Sequence, residues 1–248
     1  MGRRAALGQL YWPELSGRSV TLLVPLGATE QHGPHLPLDT DSRIAAMVAT
    51  RAAARLGADE SSEGVAGPVD SLVLSAPGLN YGASGEHEGF PGTISLGHEA
   101  LHLMLVEYGR SACRWADRVV FVNGHGGNGP TLVSAVERLR YEGRDIAWYP
   151  CAVPNSDAHA GHTETSVLLH FSPDDVTLAQ AEAGNVAPIA TLLPSMRTGG
   201  VAAVSPNGVL GDPVGATAEQ GELMAEGVVT GLVDALRSWS VAANGRIG

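Results

Sequence analysis

Residues 19–41 read SVTLLVPLGATEQHGPHLPLDTD, and this segment gives the clearest indication of the fold class. Its first part, Ser19 to Leu26, is a continuous apolar run that ends at Gly27, which is typical of a strand buried on both faces of a parallel sheet. After a polar segment, Thr40 to Leu56 predicts a helix, because its apolar residues recur at three- and four-residue steps. A buried strand that passes through a polar loop into an amphipathic helix indicates an α/β fold.

The alternation of strands and helices continues through the rest of the chain. It favours a mostly parallel central sheet with helices on both faces, a three-layer α/β/α sandwich, formed by a single domain over residues 1–248. Ligands bind such sheets beyond the carboxyl ends of the strands. Further strands are predicted at residues 71–76, 118–123 and 145–149, helices at 97–116, 130–141, 163–170 and 217–239, a surface loop at 59–70, and irregular structure between the last two helices.

The composition narrows the range of partners and compartments. All 15 basic residues are arginine, and 26 acidic residues give a formal net charge of −11, so nucleic-acid binding is disfavoured. No apolar run approaches the roughly 20 residues that span a bilayer, so no membrane partner is expected. No long apolar stretch follows the two arginines at residues 3–4, so no secretory signal is expected. Cys113 and Cys151 lack CxxC spacing, which favours free thiols in a reducing cytoplasm.

Glu30 and His32 stand two residues apart in the polar segment after the first strand. In an extended chain both side chains point to one face, roughly 6–7 Å apart. A carboxylate and an imidazole together are a ligand pair for divalent metals. Asp41, at the start of the helix, is placed to bridge two ions. The segment alone also fits an ordinary polar loop in which Thr40 or Asp41 caps the helix.

A glycine-rich turn at residues 123–129 follows the strand at residues 118–123. Its glycines let a short turn project the imidazole of His125 from the sheet edge, as a metal site requires. The same turn matches the G-x-G-x-x-G dinucleotide fingerprint, which leaves an NAD-dependent oxidoreductase of Rossmann type open as an alternative. That alternative is weakened because Asp145, the acidic residue at the expected spacing, falls at the start of its strand rather than at its end.

A third polar stretch, residues 156–166, follows the fourth predicted strand. It contributes the imidazole of His159 and the carboxylate of Glu164 close to the start of a helix. Taken alone it also fits a simple helix start, with Ser156 or Asp157 as the cap and Glu164 complementing the helix dipole.

These three segments place nitrogen and oxygen donors at the same predicted edge of the sheet. A donor set without a thiolate suits two divalent ions such as zinc, iron or manganese. No serine or cysteine has an evident catalytic partner, so water activated by metal ions is the expected nucleophile. A metal-binding scaffold without activity is the remaining alternative. The expected metal ligands are Glu30, His32, Asp41, His125 and Glu164.

Four motifs occur in order along most of the chain, namely PLGATEQHGPHLPLDTD at residues 25–41, FPGTIS at 90–95, NGHGGN at 123–128 and HAG-x-x-ETS at 159–166. Together they resemble the creatininase (creatinine amidohydrolase) family. The resemblance implies an α/β/α fold, a dinuclear metal centre with two divalent ions per subunit, and a homo-oligomer. It also assigns Glu30 and His125 to one metal and His32 to the other. Asp41 would bridge the two ions.

Two positions need separate treatment under this resemblance. Creatininase has a carboxylate ligand two residues beyond the histidine of its NGH motif, and the residue here is Gly127. The missing carboxylate is therefore expected from Glu164. His159 matches the family histidine assigned to proton transfer, so His159 and Glu164 are the expected catalytic residues.

Within the family, residues 82–97, 159–170 and 199–213 are most similar to the branch that belongs to the mycofactocin system. The resemblance therefore implies hydrolysis of a peptide bond, with release of the C-terminal Val-Tyr dipeptide from a modified precursor peptide. No equivalent of the tryptophans that sandwich creatinine is evident, and hydrolysis of another small cyclic amide stays open. The residues expected to contact the substrate or its oxyanion are Asn128, Tyr81, Glu86 and His87.

Overall fold

The computed structural model of the chain describes residues 5–59 and 71–248. The surface loop predicted at residues 59–70 lies outside the described residues, apart from Asp59, which ends a helix. The two N-terminal arginines at residues 3–4 also lie outside them.

Four strands of the described residues form a parallel sheet at the centre of the molecule, and their bounds are β1 Ser19–Leu26, β2 Ser71–Ser75, β3 Arg118–Asn123 and β4 Ile146–Pro150. They stand in the order β2-β1-β3-β4, and all neighbouring pairs are parallel. The strands are buried because they lie between two helical layers, which explains their continuous apolar sequences.

Within residues 5–59 and 71–248, six helices cover the sheet and its carboxyl-terminal edge, and they are α1 Thr40–Asp59, α2 Gly97–Ala112, α3 Gly129–Tyr141, α4 His162–Phe171, α5 Ile189–Gly199 and α6 Ala218–Ser238. Successive side chains of a strand point to opposite faces, so Leu22 packs in the core cluster formed with α2 and α3, while Leu23 packs in the cluster formed with α1 and α6. The three-layer α/β/α prediction is therefore confirmed.

The expectation of irregular structure between the last two predicted helices is wrong at one point, because α5 lies there. Pro188 and Pro194 argue against a helix in the sequence, since proline inside a helix removes a hydrogen bond. In the structure Pro188 precedes the helix, while Pro194 lies inside it. Leu192 of α5 is buried in a small cluster with Val201, and this packing favours the helix despite the proline.

The carboxyl ends of β1, β3 and β4 meet at one edge of the sheet, because parallel neighbours in register end together. Leu26, the last residue of β1, pairs with Asn123, and Asn123 pairs with Pro150. The three polar segments found in the sequence begin at this edge. Among the described residues, no helix has the length and apolar character to cross a bilayer.

Candidate metal centre

Two loops and two helix starts bring the predicted ligands together. Glu30 and His32 lie in the segment after β1, and Asp41 lies in the first turn of α1. His125 lies in the turn after β3, and Glu164 lies in the first turn of α4. The first four side chains are buried almost completely, and the side chain of Glu164 is 21% exposed. The sequence prediction that these residues share one edge therefore agrees with their positions.

The carboxylate of Asp41 lies between two imidazoles. Its Oδ1 is 3.1 Å from Nε2 of His32, and its Oδ2 is 3.2 Å from Nδ1 of His125. Oε1 of Glu30 lies 3.2 Å from the same Nδ1 of His125. On the other side, Oε2 of Glu164 lies 3.9 Å from Nε2 of His32. Asp41 thus has one oxygen in each of two adjacent groups of donors.

These donors fit divalent cations. Glu30, Asp41 and His125 form one group whose ligand atoms lie within 4.8 Å of one another, and His32, Asp41 and Glu164 form a second. Both oxygens of Glu30 and Oδ2 of Asp41 are buried and have no hydrogen-bond partner among the described residues. Buried carboxylate oxygens without partners are costly, and a cation between them would satisfy them. A third group of donors consists of Glu30, His32 and His159.

The buried charges of this cluster shift the pKa values of its members. Burial disfavours the imidazolium of His32, but the carboxylates of Asp41, Glu164 and Glu30 together outweigh burial and raise the pKa of His32 to about 10. His125 behaves in the same way, and the carboxylate of Glu30 is the chief cause of its raised pKa. Burial would raise the pKa of Asp41, but the two imidazoles hold it well below its usual range. Burial raises the pKa values of Glu30 and Glu164 to about 7.

His159 and His87 form a neutral pair beside the cluster. Nε2 of His159 donates to the carbonyl oxygen of Gln31 at 2.7 Å, so its Nδ1, 3.7 Å from Oε1 of Glu30, carries the lone pair. The amide of Gln31 donates to Nδ1 of His87 at 2.9 Å. Burial lowers the pKa of His159 well below its usual value and that of His87 to about 4. Both imidazoles are therefore uncharged near neutral pH.

Gln31 is a residue of the site that the sequence analysis missed. Its amide nitrogen also donates to the carbonyl oxygen of Gly208 at 3.0 Å, and its Oε1 accepts from the backbone of Gly33 at 2.8 Å. The only sequence signal is its place between Glu30 and His32, which puts its side chain on the opposite side of the extended segment. Gln31 fixes the orientation of both neutral imidazoles.

The glycine-rich turn owes two of its glycines to close packing. A Cβ at Gly124 would collide with the backbone oxygen of Asp41, so glycine lets the turn approach the start of α1. A Cβ at Gly127 would lie 2.6 Å from Oε1 of Glu86 and 2.6 Å from the carbonyl oxygen of Ala83. Close packing therefore explains Gly124 of the G-x-G-x-x-G pattern and Gly127 at one of its x positions, whereas a Cβ at Gly126 or Gly129 would meet nothing within 4 Å.

Asn128 is held inside the same turn. Its Oδ1 accepts from the backbone of Ala83 at 2.9 Å, and its Nδ2 donates to the carbonyl oxygen of Gly27 and to Oδ1 of Asn123, both at 3.1 Å. Both of its amide hydrogens are therefore engaged. The predicted role of Asn128 at an oxyanion would require one of these hydrogen bonds to break.

A cavity of about 540 Å³ opens beside the donors. Glu86 and His87 line it, as predicted, whereas the side chain of Tyr81 is 45% exposed and the structure does not bring it to the cavity wall. One part of the wall is polar and includes Asp41 and Glu164. The other part is apolar and includes residues of α5 that the sequence analysis missed, and its side chains are Ile44, Met47, Val153, Ile189, Leu193, Met196 and Val228.

Asp157 explains how the segment with His159 and Glu164 is held. Its carboxylate accepts hydrogen bonds from the backbone of His162 and, at 3.1 Å, from that of Thr163, so it caps α4 as the sequence allowed. Oε2 of Glu164 accepts from the backbone of Ala160 at 2.6 Å. This bond aims the carboxylate of Glu164 towards His32.

Comparison with known sequences finds a family model and relatives that match most of this chain. The family model described as creatininase, creatinine amidohydrolase, matches residues 8–236. The mycofactocin precursor peptide peptidase of Mycolicibacterium smegmatis is 59% identical over 241 residues, which cover 97% of this chain and 94% of that protein. The creatinine amidohydrolase of Pseudomonas putida is 31% identical over 272 residues, which cover 96% of this chain and 98% of that protein.

Comparison with solved structures finds creatininases that superimpose on most of this chain. A structure described as creatininase Mn superimposes with a TM-score of 0.78 at 28% identity, covering 95% of this chain and 98% of that chain. A mutant creatininase of Zn-Zn type superimposes with a TM-score of 0.76 at 28% identity over the same shares.

Proposed function

We propose, on the premise that this chain belongs to the creatininase family, that it is a peptidase acting on a modified mycofactocin precursor peptide. The chain is an amidohydrolase that cleaves C–N bonds and uses divalent metal. A peptide substrate is proposed because of one observation, the 59% identity over 97% of this chain to a mycofactocin precursor peptide peptidase. The proposed product is the C-terminal Val-Tyr fragment. An NAD-dependent oxidoreductase finds no support in these relatives.

Two divalent ions per subunit are the proposed cofactor. Glu30, Asp41 and His125 would hold one ion, and His32, Asp41 and Glu164 would hold the other. The buried and unpartnered oxygens of Glu30 and Asp41 support this assignment. Such ions supply Lewis-acid chemistry, because they lower the pKa of water and polarise a carbonyl oxygen. Zinc, iron and manganese all suit this oxygen and nitrogen donor set.

His159 is the proposed group for proton transfer. The lone pair on its Nδ1 faces the cluster, because its Nε2–H donates a hydrogen bond to the carbonyl oxygen of Gln31. A neutral imidazole can accept a proton from the attacking water and then pass it to the departing amine nitrogen, so one group serves first as base and then as acid. The lowered pKa of His159, caused chiefly by burial, keeps the imidazole neutral for the first of these steps.

The cavity supports a substrate with a bulky apolar end. Its apolar wall, with Leu193 and Met196 from α5 and Val228 from α6, lies beside the polar donors. Aliphatic walls of this kind suit valine and tyrosine side chains, which lose contact with water on binding. Hydrolysis of a small cyclic amide is the second candidate, supported by the 31% identity to a creatinine amidohydrolase.

A direct assay separates the two candidates. Metal-loaded protein is incubated with the modified precursor peptide, with the unmodified peptide and with creatinine, and the products are identified by mass spectrometry. Release of the Val-Tyr fragment from the modified peptide is expected, with little turnover of creatinine. Turnover of creatinine without cleavage of either peptide would contradict the proposal.

A homo-oligomeric state and a cytoplasmic location remain proposals. The two free thiols, Cys113 and Cys151, support a reducing compartment. Exposed apolar side chains such as Leu103 and Leu223, which are 63% and 76% exposed, are candidates for subunit contacts.

A further inference from the structure

Glu86 approaches the proposed metal centre from outside the ligand set. It lies in a short 3-10 turn, Gly85–His87, and its side chain is 30% exposed. Its Oε1 is 3.5 Å from Nε2 of His125, on the side of the imidazole ring opposite to Nδ1. Nδ1 of the same ring faces Glu30 and Asp41, each at 3.2 Å. Glu86 and the proposed ion position are therefore separated by the ring of His125.

Nε2 of His125 has a second partner from the same loop. It lies 3.2 Å from the carbonyl oxygen of Ala83, which can only accept a hydrogen bond. In a metal-bound form the imidazole would be neutral, and its hydrogen would then be on Nε2 and its lone pair on Nδ1. A carboxylate beside the N–H of a metal-ligating histidine fixes its tautomer and orientation and makes its other nitrogen more basic.

Gly127 provides the space that Glu86 occupies. A Cβ built on Gly127 would lie 2.6 Å from Oε1 of Glu86 and would also collide with Nε2 of His125. A side chain at residue 127 and the present position of Glu86 are therefore mutually exclusive. The turn after β3 lacks a side chain at the point where the loop before α2 inserts a carboxylate.

The turn after α5 packs closely against the backbone of Glu86. Gly200 has a φ of 67°, and a Cβ there would lie 2.6 Å from the carbonyl oxygen of Glu86. Glycine is favoured at this φ and leaves room for the close approach. Glu86 thus lies between His125 and the segment that carries the apolar wall of the cavity.

We propose that Glu86 is a positioning residue for metal binding. It acts through His125, whose imidazole it holds with the Nδ1 lone pair directed at the ion position between Glu30 and Asp41. The inference rests on the proposed metal dependence and adds to it a residue that contacts no ion itself. Gly127 and Gly200 leave the space that Glu86 needs, because a Cβ at either residue would collide with it.

Metal affinity tests this proposal directly. Zinc or manganese is titrated into the demetallated protein in competition with a chromogenic chelator. The titration compares the wild type with Glu86→Ala, Glu86→Gln and Glu88→Gln. Glu88→Gln is the matched control, because the side chain of Glu88 is exposed on the same loop. Glu86→Ala is expected to weaken the tighter site by about 10–100-fold, the usual range for an outer partner of a ligand. Glu86→Gln, which keeps an oxygen acceptor, should weaken it less, and Glu88→Gln should not change it.

Two further measurements separate positioning from a general structural role. In zinc-loaded protein, the nitrogen NMR signal of the Nε2–H of His125 should shift in Glu86→Ala and superimpose on wild type in Glu88→Gln. Gly200→Ala displaces the backbone of Glu86 without altering any proposed ligand, and it should also weaken metal binding. Wild-type affinity in both Glu86→Ala and Gly200→Ala would overturn the inference while leaving the proposed function intact. Failure of the wild type to bind metal would instead overturn the proposed function.

Discussion

Oδ2 of Asp41 is buried 3.2 Å from Nδ1 of His125, yet no hydrogen-bond partner for this oxygen occurs in the part of the chain that the structure describes. The other oxygen of the same carboxylate lies 3.1 Å from Nε2 of His32. One buried carboxylate thus connects two imidazoles from different loops, and it belongs to both of the donor groups that include Glu30 and Glu164. This arrangement makes Asp41 the residue on which both proposed ion sites depend.

Asp41→Asn is expected to remove both ions and the hydrolytic activity. The amide keeps the size of the side chain but loses the charge that two cations would share. Elemental analysis should find about two ions per chain in wild type, as in other two-metal sites, and close to none in the variant. The matched control is Asp39→Asn, because Asp39 pairs with Arg43 at the half-exposed start of the same helix. An Asp41→Asn protein that keeps two ions per chain would disprove the shared role.

Glu164→Gln is expected to lose only one ion. Glu164 belongs to the donor group of His32 and not to that of His125. Elemental analysis should therefore find about one ion per chain in the variant and about two in the wild type. Glu222→Gln, an exposed position of α6, serves as the control. An unchanged metal content in Glu164→Gln would return Glu164 to the role of complementing the dipole of α4.

Metal affinity is expected to rise with pH. Without ions, the pKa of His32 is raised to about 10, because the carboxylates of Asp41, Glu164 and Glu30 together outweigh burial, and burial raises the pKa values of Glu30 and Glu164 to about 7. Ligands must lose their protons before they bind metal. Below pH 7 more protons must be displaced, so binding should tighten from pH 6 to pH 8. Calorimetry in buffers of different ionisation enthalpy should detect the released protons, and a pH-independent affinity would contradict the ligand set.

His159→Ala is expected to keep its metal and lose turnover. General acid–base groups contribute about 10²–10⁴-fold, so kcat should fall within that range. Metal content is the decisive second measurement, because His159 also belongs to a donor group with Glu30 and His32. Loss of an ion in this variant would make His159 a ligand, and an unchanged kcat would move proton transfer to another group. His162→Ala, on the neighbouring first turn of α4, is the control.

The fold could be predicted well from particular stretches of sequence. The bounds of β1 and β3 agree with prediction residue for residue, because each is an apolar run whose end is marked by a glycine. The helix α5 could not be predicted, because Pro188 and Pro194 oppose it locally and only its packing against Val201 favours it. Tertiary contacts overrode local preference at that point.

Some residues of the candidate site could likewise be predicted from the sequence, and others could not. Glu30, His32 and His125 could be predicted because they directly follow strands whose carboxyl ends must meet in a parallel sheet. The relation of Glu86 to Gly127 could not be predicted, because it depends on the path of a loop that returns to the site from elsewhere in the chain. The same holds for Gln31, whose partners His87, His159 and Gly208 come from separate segments.

Removal and return of metal is the sharpest test of metal-dependent hydrolysis by this chain. Protein stripped of metal by a chelator and dialysed free of the chelator is assayed on the modified precursor peptide, before and after zinc or manganese is added back. We expect no release of the Val-Tyr fragment from stripped protein, and recovery of release as about two ions bind per chain. Full release by protein shown by elemental analysis to hold no metal would mean that the hydrolysis does not depend on metal.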